Sequence, residues 1–540
     1  MKLKIKKMDC NSIIADLKIK NKNITIPNIL SIQTDRINGY EDADIKISKK
    51  TDFKEIETLY YSFQDFQRPK KFVDLIITKK KENKIIYLPA IAEPNNLSLL
   101  IYLGINLFDT INAISSARKK IMFFPDGNKK VDELFENPCT CKTCSKLDKK
   151  VKDFTFNEIL NHNYNVLFSE LKNIKNHIYN KNLRSLIEKR VISSPHLTSI
   201  LRYLDQNYYY FLEEKTPLIS SNQILCTTQD SLSRPEIKRF QERLLKNYSK
   251  PKSAKILLLL PCSNKKPYSF SKSHSLFKNV IKSCKNPNII HEVVITSPMG
   301  VVPRDLELIY PAANYDISVI GIWYEEEKYM INDIISNFVK SNHYDKVISH
   351  LKQDMNIFIE KVLKIDIKTC LDHPTSDKSL EKLKMEINKI SDAYNIINYK
   401  DRIKEDMQSF ASFFYKKISE KIFRNSYVKG KYPYYKIFNN NTQIGMLVKE
   451  KGMISFTLEG ANILFDNKIN NVKISNDFDL VGSVFAPGII DSDKDIRIGD
   501  EVAVIKNNKL VANGTALMCG EDMKKLNYGE AVKIRHIKKD

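Results

Sequence analysis

The spacing of apolar and polar positions changes character along the chain, and each change predicts a different kind of element. From Met1 to about Arg190, short apolar runs such as Leu75-Ile76-Ile77 and Ile85-Ile86-Tyr87-Leu88 mix with a helical stretch from Leu97 toward Phe108, an α/β texture. From about Val191 to Tyr399, strand-like runs at Lys255 to Leu260, Glu292 to Thr296 and Ile317 to Ile322 alternate with amphipathic stretches. That alternation predicts βαβ units around a mainly parallel sheet. Helical spacing over Ser379 to Ile422 closes the region. Beyond Lys431, short strands are separated by Asn-rich turns, Asn439-Asn440-Asn441 and Asn507-Asn508, as in small β-rich modules. The expected division is 1–190, 191–400, 401–470 and 471–540.

A length of 540 residues fits three or four domains. Apolar residues at 42% and charged residues at 28% exclude a disordered chain and predict real cores. The formal charge of +23 makes a polyanion, nucleic acid first, the leading partner. Lys, Asn and Ile crowd the whole chain, however, as AT-rich coding produces, so the charge does not by itself locate a binding face. Residues 471–540 carry eleven Lys+Arg against eleven Asp+Glu, which assigns long-range attraction for phosphates to 1–470. An apolar run as long as any in the chain, Ile256 to Leu260, is far short of a membrane span, and the Lys-rich start has no apolar signal core. A cytoplasmic protein with no membrane partner is expected. Nine cysteines are too few and too uneven for a disulfide framework, and three of them fall within six positions.

That cluster, Cys139-Thr-Cys141-Lys-Thr-Cys144, supplies three thiolates. A histidine downstream, His162 or His177, would complete a closed tetrahedral Cys3His set for a structural Zn2+. A second candidate follows the apolar strand at 255–260 directly, where open α/β sheets place their ligands. It is the run from Pro261 to His274, with Cys262, Lys265, Lys266, Tyr268, Ser271, Ser273 and His274. A thiol, hydroxyls, ammonium groups and an imidazole can supply a nucleophile, phosphate contacts and a proton shuttle, and nearby cations would lower the thiol pKa. Thr296 to Asp305, Tyr310 to Asp316 and Gly321-Ile322-Trp323 are expected to converge on the same pocket. There Arg304, Asp305, Asp316 and Trp323, with Glu325 to Glu327, would meet a substrate, the carboxylates a cationic one. Near the C-terminus, Gly482, Phe485, Pro487, Gly488 and Ile489 open a compact β-barrel with a backbone-exposing edge suited to RNA.

With these residues in view, the chain resembles the archaeosine synthases, archaeal relatives of the tRNA-guanine transglycosylases. The Cys-x-Cys-x2-Cys loop with His162-Asn163 resembles the transglycosylase zinc site, which favours His162 as fourth ligand over His177. Pro89 to Asp109 resembles the stretch ending in the transglycosylase nucleophile, here Asp109. The run from Pro261 to His274 resembles the Pro-Cys...Lys-Pro-Tyr...Ser...His motif that sets archaeosine synthases apart, and 471–540 resembles a PUA domain. The resemblance implies a truncated transglycosylase-like (β/α) barrel remnant with the zinc site, a central α/β catalytic domain, a small α+β domain and a C-terminal PUA barrel. Only 108 residues precede Asp109, too few for a full barrel's first half, so Asp109 is expected to be a remnant without base-exchange activity. The implied reaction is addition of an amine, the side-chain amine of free lysine, to the nitrile of 7-cyano-7-deazaguanine in the D-loop of tRNA. The implied catalytic group is Cys262, Lys266, Tyr268, Ser271, Ser273 and His274, with His274 as base. A radical-SAM enzyme that converts the adduct and a second copy of the chain are the further partners expected.

Overall fold

In the computed structural model, Ile85–Tyr87 and Leu107–Asp109 lie at the centre of a four-stranded parallel sheet. Its order is Asn28–Leu30, Leu107–Asp109, Ile85–Tyr87, Ile56–Thr58. The structure describes residues 2–19, 22–31, 56–58, 66–80, 85–318, 322–478 and 480–538. Four parallel strands are half the complement of a (β/α)8 barrel, as a barrel remnant requires. Leu75-Ile76-Ile77 belongs to the helix Pro69–Lys80, which buries Phe72, Val73, Ile76 and Ile77 as one face. An antiparallel meander of Lys2–Asp9, Ser12–Ile19 and Lys22–Ile26 completes the β structure at the N-terminus. The compact unit runs from Met1 to Thr216. It extends past 190 because the helix Pro195–Asn207 gives Leu197, Ile200, Leu201 and Leu204 to the same core.

The second compact unit is Pro217–Asp540. Its main sheet has the order Gly300–Pro303, Ile290–Thr296, Ile256–Pro261, Lys346–Ser349, Ile367–Lys368. All pairs are parallel except the edge strand Gly300–Pro303. The unbroken apolar run Ile256 to Leu260 is buried on both faces, as the central strand of such a sheet must be. From Ile256–Pro261 the chain passes to a neighbour on one side, Ile290–Thr296, and later returns to the other side at Lys346–Ser349. The strand order therefore reverses at Ile256–Pro261, and a crevice opens beyond its carboxyl end. Tyr315–Ile317 pairs instead with Ile224–Cys226. The strand expected to reach Ile322 ends at Ile317, with 319–321, including Gly321, outside the described residues.

Helices Asp377–Ser391, Tyr399–Tyr415 and Ile418–Phe423 occupy the stretch read as helical. A four-stranded antiparallel sheet follows over Ser426–Phe456 with the helix Leu458–Asp466, then a six-stranded β module from Asn471 onward. The Asn-rich turns do what their composition predicts. Asn440 and Asn441 have φ of 44° and 70°, and Asn507 and Asn508 have 52° and 56°, the left-handed pairs that join hairpin strands. No helix among the described residues is long and apolar enough to cross a membrane.

Candidate active site and metal centre

The helix Phe156–Tyr179 begins at a capping box, in which the Thr155 hydroxyl accepts from the Glu158 amide and the Glu158 carboxylate accepts from the Thr155 amide. Its second turn carries His162 and Asn163, both fully buried. The Asn163 side chain accepts from the Phe123 amide at 2.8 Å and donates to the Ile121 carbonyl at 3.0 Å, which fixes the helix against the chain before the cysteine loop. His162 Nε2 donates to the Phe123 carbonyl at 2.9 Å. That bond selects the tautomer whose Nδ1 lone pair faces the thiols, 3.3 Å from Cys144 Sγ and 3.8 Å from Cys141 Sγ. The ligand atoms of Cys139, Cys141, Cys144 and His162 all lie within 4.8 Å of one another, so the group could hold a metal ion. Three thiols and one imidazole at this spacing fit tetrahedral coordination with no open position. His177 is apart from them, bonded to Asn182 Oδ1 at 2.7 Å.

Asp109 closes the strand Leu107–Asp109 and is buried. One carboxylate oxygen accepts from Tyr87 Oη at 2.6 Å, the other from the amides of Ala90 and Ile111 at 3.0 Å each. Burial pushes its pKa up against those three donors. One oxygen is committed to the Tyr87 hydroxyl and the other to local backbone.

In the second unit, a cavity of about 660 Å3 lies at the carboxyl end of Ile256–Pro261. Pro261, Cys262, Ser263 and Ser273 form one wall. Ser297, Ile317, Ile322 and Trp323 form another, and Lys352, Asp354, Met355, Phe358 and His373 to Thr375 face them. The loops after 261, 296 and 317 thus converge on one space. The Ser297 hydroxyl is buried there without a hydrogen-bond partner; the Lys266 ammonium, also buried without one, does not line the cavity but lies 4.2 Å from the centre of the Tyr315 ring, close enough to Cys262 for its charge to act on the thiol. Unpaired buried polar atoms are uncommon in native folds, and a hydroxyl in that state on a cavity wall is open to a water or a ligand.

The Thr296 hydroxyl, which acts to lower the Cys262 thiol pKa, meets Tyr315 Oη at 2.5 Å, and Tyr315 Oη meets Tyr268 Oη at 2.6 Å. Burial pushes the thiol pKa up, and the Lys266 charge and the Thr296 bond only partly oppose it. The lowering expected from nearby cations is therefore not the net outcome, because desolvation is larger. The same burial pushes Lys266 down, opposed by Cys262 and Asp316.

The remaining sequence candidates take other places. His274 is fully buried, its Nε2 donating to the Pro261 carbonyl at 3.0 Å and its Nδ1 accepting from Arg304 at 2.8 Å. Burial and the adjacent guanidinium push its pKa down to about 2. Ser271 caps the helix Lys272–Lys282, accepting from the His274 amide at 3.2 Å. Arg304 is held by Glu292 at 2.6 Å and Glu307 at 2.9 Å, and Asp305 accepts from Tyr248 at 3.1 Å, so neither lines the cavity. Lys265 and Asp316 are exposed outside it, and Tyr268 is buried behind it. Glu327 caps the backbone amide of Tyr324, and Glu325 pairs with Lys328.

The residues that sequence reasoning did not single out are Thr296, Ser297 and Tyr315, inside stretches it named, and Lys352, Asp354 and His373, outside them. Three of them follow the short strands Lys346–Ser349 and Ile367–Lys368, and the carboxyl-end rule finds them once those strands are seen. On the C-terminal module, Phe485 and Pro487 are exposed on the edge after Gly482. Gly488 is buried, where a Cβ would stand 2.5 Å from the Phe478 ring, and Ile489 is half-buried against the core.

Three family descriptions match: "Queuine tRNA-ribosyltransferase" over 49–196, "Domain of unknown function (DUF5591)" over 237–387 and "PUA domain" over 480–538. These matches define a chain assembled from a transglycosylase-like unit, a central α/β unit and a PUA module. It is 34% identical over 490 residues to "Archaeosine synthase subunit alpha" of Methanosarcina acetivorans, covering 87% of this chain and 77% of that protein. It is 33% identical over 520 residues to "Archaeosine synthase" of Methanocaldococcus jannaschii, covering 93% of this chain and 84% of that one. A crystal structure titled as a protein of unknown function aligns at 25% identity and a TM-score of 0.45, over 55% of this chain and 98% of its own. The chain belongs to the archaeosine synthase family.

Proposed function

We propose that the protein is an archaeosine-forming tRNA modification enzyme that adds an amine to the nitrile of 7-cyano-7-deazaguanine already present in tRNA, giving an amidine. The observation that carries this reading is Cys262 on the wall of a cavity at the strand-order reversal, with unpartnered polar atoms at Ser297 and Lys266 near it. The PUA module, through the edge at Gly482, Phe485, Pro487, Gly488 and Ile489, is assigned to holding tRNA. The Cys3His group is assigned to a structural Zn2+, the ion that such a donor set prefers.

A nitrile carbon is a weak electrophile, and an ordinary ammonium is almost fully protonated at neutral pH. The Cys262 thiol adds across the C≡N bond: a C–S bond forms, one π bond breaks, and the thiol proton passes to nitrogen. The amine then attacks the thioimidate carbon, the C–S bond breaks, and the sulfur recovers a proton from the amine, leaving an amidine. Lys266 is the group suited to moving these protons, since burial lowers its pKa and its charge acts on Cys262. His274 serves by position: both ring nitrogens are taken, and it anchors the carbonyl of Pro261 beside Cys262. Free lysine fits as donor. Asp354, Lys352 and Lys328 line the cavity with Trp323, Met355 and Phe358, an arrangement suited to a zwitterion on an apolar stem. A radical-SAM enzyme would then release archaeosine from the adduct. The test is mass analysis of nitrile-bearing tRNA incubated with the protein and each candidate amine. A product heavier by one lysine supports the reading, and unchanged tRNA with every amine overturns it.

A further inference from the structure

The first unit has a groove of its own, of about 700 Å3, between the cysteine loop and the helix Phe156–Tyr179. Lys142, Lys146 and Lys172 border it, with Tyr164 and Phe168 between them, and no Asp or Glu lines it. The three lysines are exposed, and among the described residues none is in an ion pair. Tyr164 and Phe168 are half-buried and meet edge to face with ring centres 6.4 Å apart, so each is fixed by its neighbour instead of lying free on the surface. Asn165 ties the two walls together. Its side chain donates to the Thr143 hydroxyl at 3.0 Å and faces Cys141 Sγ at 3.6 Å, so the geometry of the metal loop sets the spacing of the lysines across the groove.

Unpaired cations interleaved with rings are the surface that suits a phosphate backbone with adjacent bases or riboses. A peptide partner with acidic side chains would satisfy the lysines but gives no role to two rigid aromatic faces. The charge distribution agrees: 471–540 is neutral, so the phosphate attraction that a tRNA-binding chain needs must lie in 1–470. We infer that this groove is a tRNA backbone site, in which Lys142, Lys146 and Lys172 contact phosphates and the cysteine loop acts as a rigid mount for two of them. This rests on the reading of tRNA as substrate, and assigns part of its binding to residues of the first unit, distinct from those of the catalytic cavity and the PUA edge.

The experiment compares the full-length wild type with K142Q/K146Q/K172Q for binding of tRNA across a series of salt concentrations, with bound zinc and native mass in solution measured on both. Each lost phosphate contact lowers the slope of log K against log salt by about 0.7–0.9, so the variant slope should be shallower by roughly two. Affinity at 0.1 M salt should fall by about tenfold or more. Retained zinc with these two changes supports the site. An unchanged slope, with or without an altered native mass, overturns it, an altered mass marking the groove as an interface between copies. Should the variant lose zinc, F168A in its place tests the ring contact, with weakened tRNA binding expected and unchanged binding overturning the site. A wild type that binds no tRNA refutes the proposed function itself, an outcome distinct from a variant that binds like wild type.

Discussion

Cys262 and Lys266 are the two side chains whose loss should separate chemistry from architecture. Cys262→Ala is expected to lower turnover on nitrile-bearing tRNA by roughly a thousandfold or more with tRNA affinity unchanged. Near-full turnover would remove the covalent route. Lys266→Met should cost about a hundredfold through lost proton transfer. His274 makes a different prediction. Its pKa is pushed down from 6.5 to about 2, so the folded state prefers the neutral ring. The stability this gives is fully present above about pH 6.5 and is lost as pH falls from there toward the folded value. Denaturation midpoints at pH 7 and pH 5 should therefore differ less in His274→Gln than in wild type. The sequence announced His274 only as an imidazole near a thiol. That Arg304, thirty residues on, occupies its Nδ1 is a tertiary fact no local pattern carries, and it turns a candidate base into a clamp. The same holds for Asp109, whose place in the chain was readable but whose bonds to Tyr87, Ala90 and Ile111 were not.

Among elements, the helix Phe156–Tyr179 and the cysteine loop depend on each other, because His162 and Asn165 join them. Cys144→Ser should abolish stoichiometric metal binding and lower the unfolding midpoint, both read by metal analysis and thermal unfolding. In the β module, Gly488→Ala should destabilise by about 1–3 kcal/mol, since its Cβ would press on Phe478. Gly482 has φ +74° with open space around it, so Gly482→Ala meets backbone strain alone and should cost about 1 kcal/mol. The elements most legible in the sequence were those with strong local signals: the buried run Ile256 to Leu260, the Asn-Asn turns, the Cys-x-Cys-x2-Cys loop. The strands Lys346–Ser349 and Ile367–Lys368 are short and carry lysines, so no run of apolar residues announced them, and the cavity wall that follows them went unread.

At the scale of the whole chain, a barrel remnant with its aspartate consumed by structural bonds should not exchange bases. Labelled guanine offered with unmodified tRNA is expected to remain unincorporated, and incorporation would restore Asp109 to a catalytic role. The cavity itself has an unequal construction. One wall is a single continuous segment anchored by His274 and the helix Lys272–Lys282, whereas the opposite walls come from separate places: Ser297, Ile317 and Ser318, Ile322 and Trp323, the start of the helix Gln353–Ile359 with Lys352 before it, and His373 to Thr375. Substitutions of the side chains that line the cavity from those segments should leave the central sheet in place. Among related chains, a switch to another nucleophilic metabolite should therefore be written at Lys352, Asp354 or Trp323, and lineages diverging in that preference would still share the segment that bears Cys262.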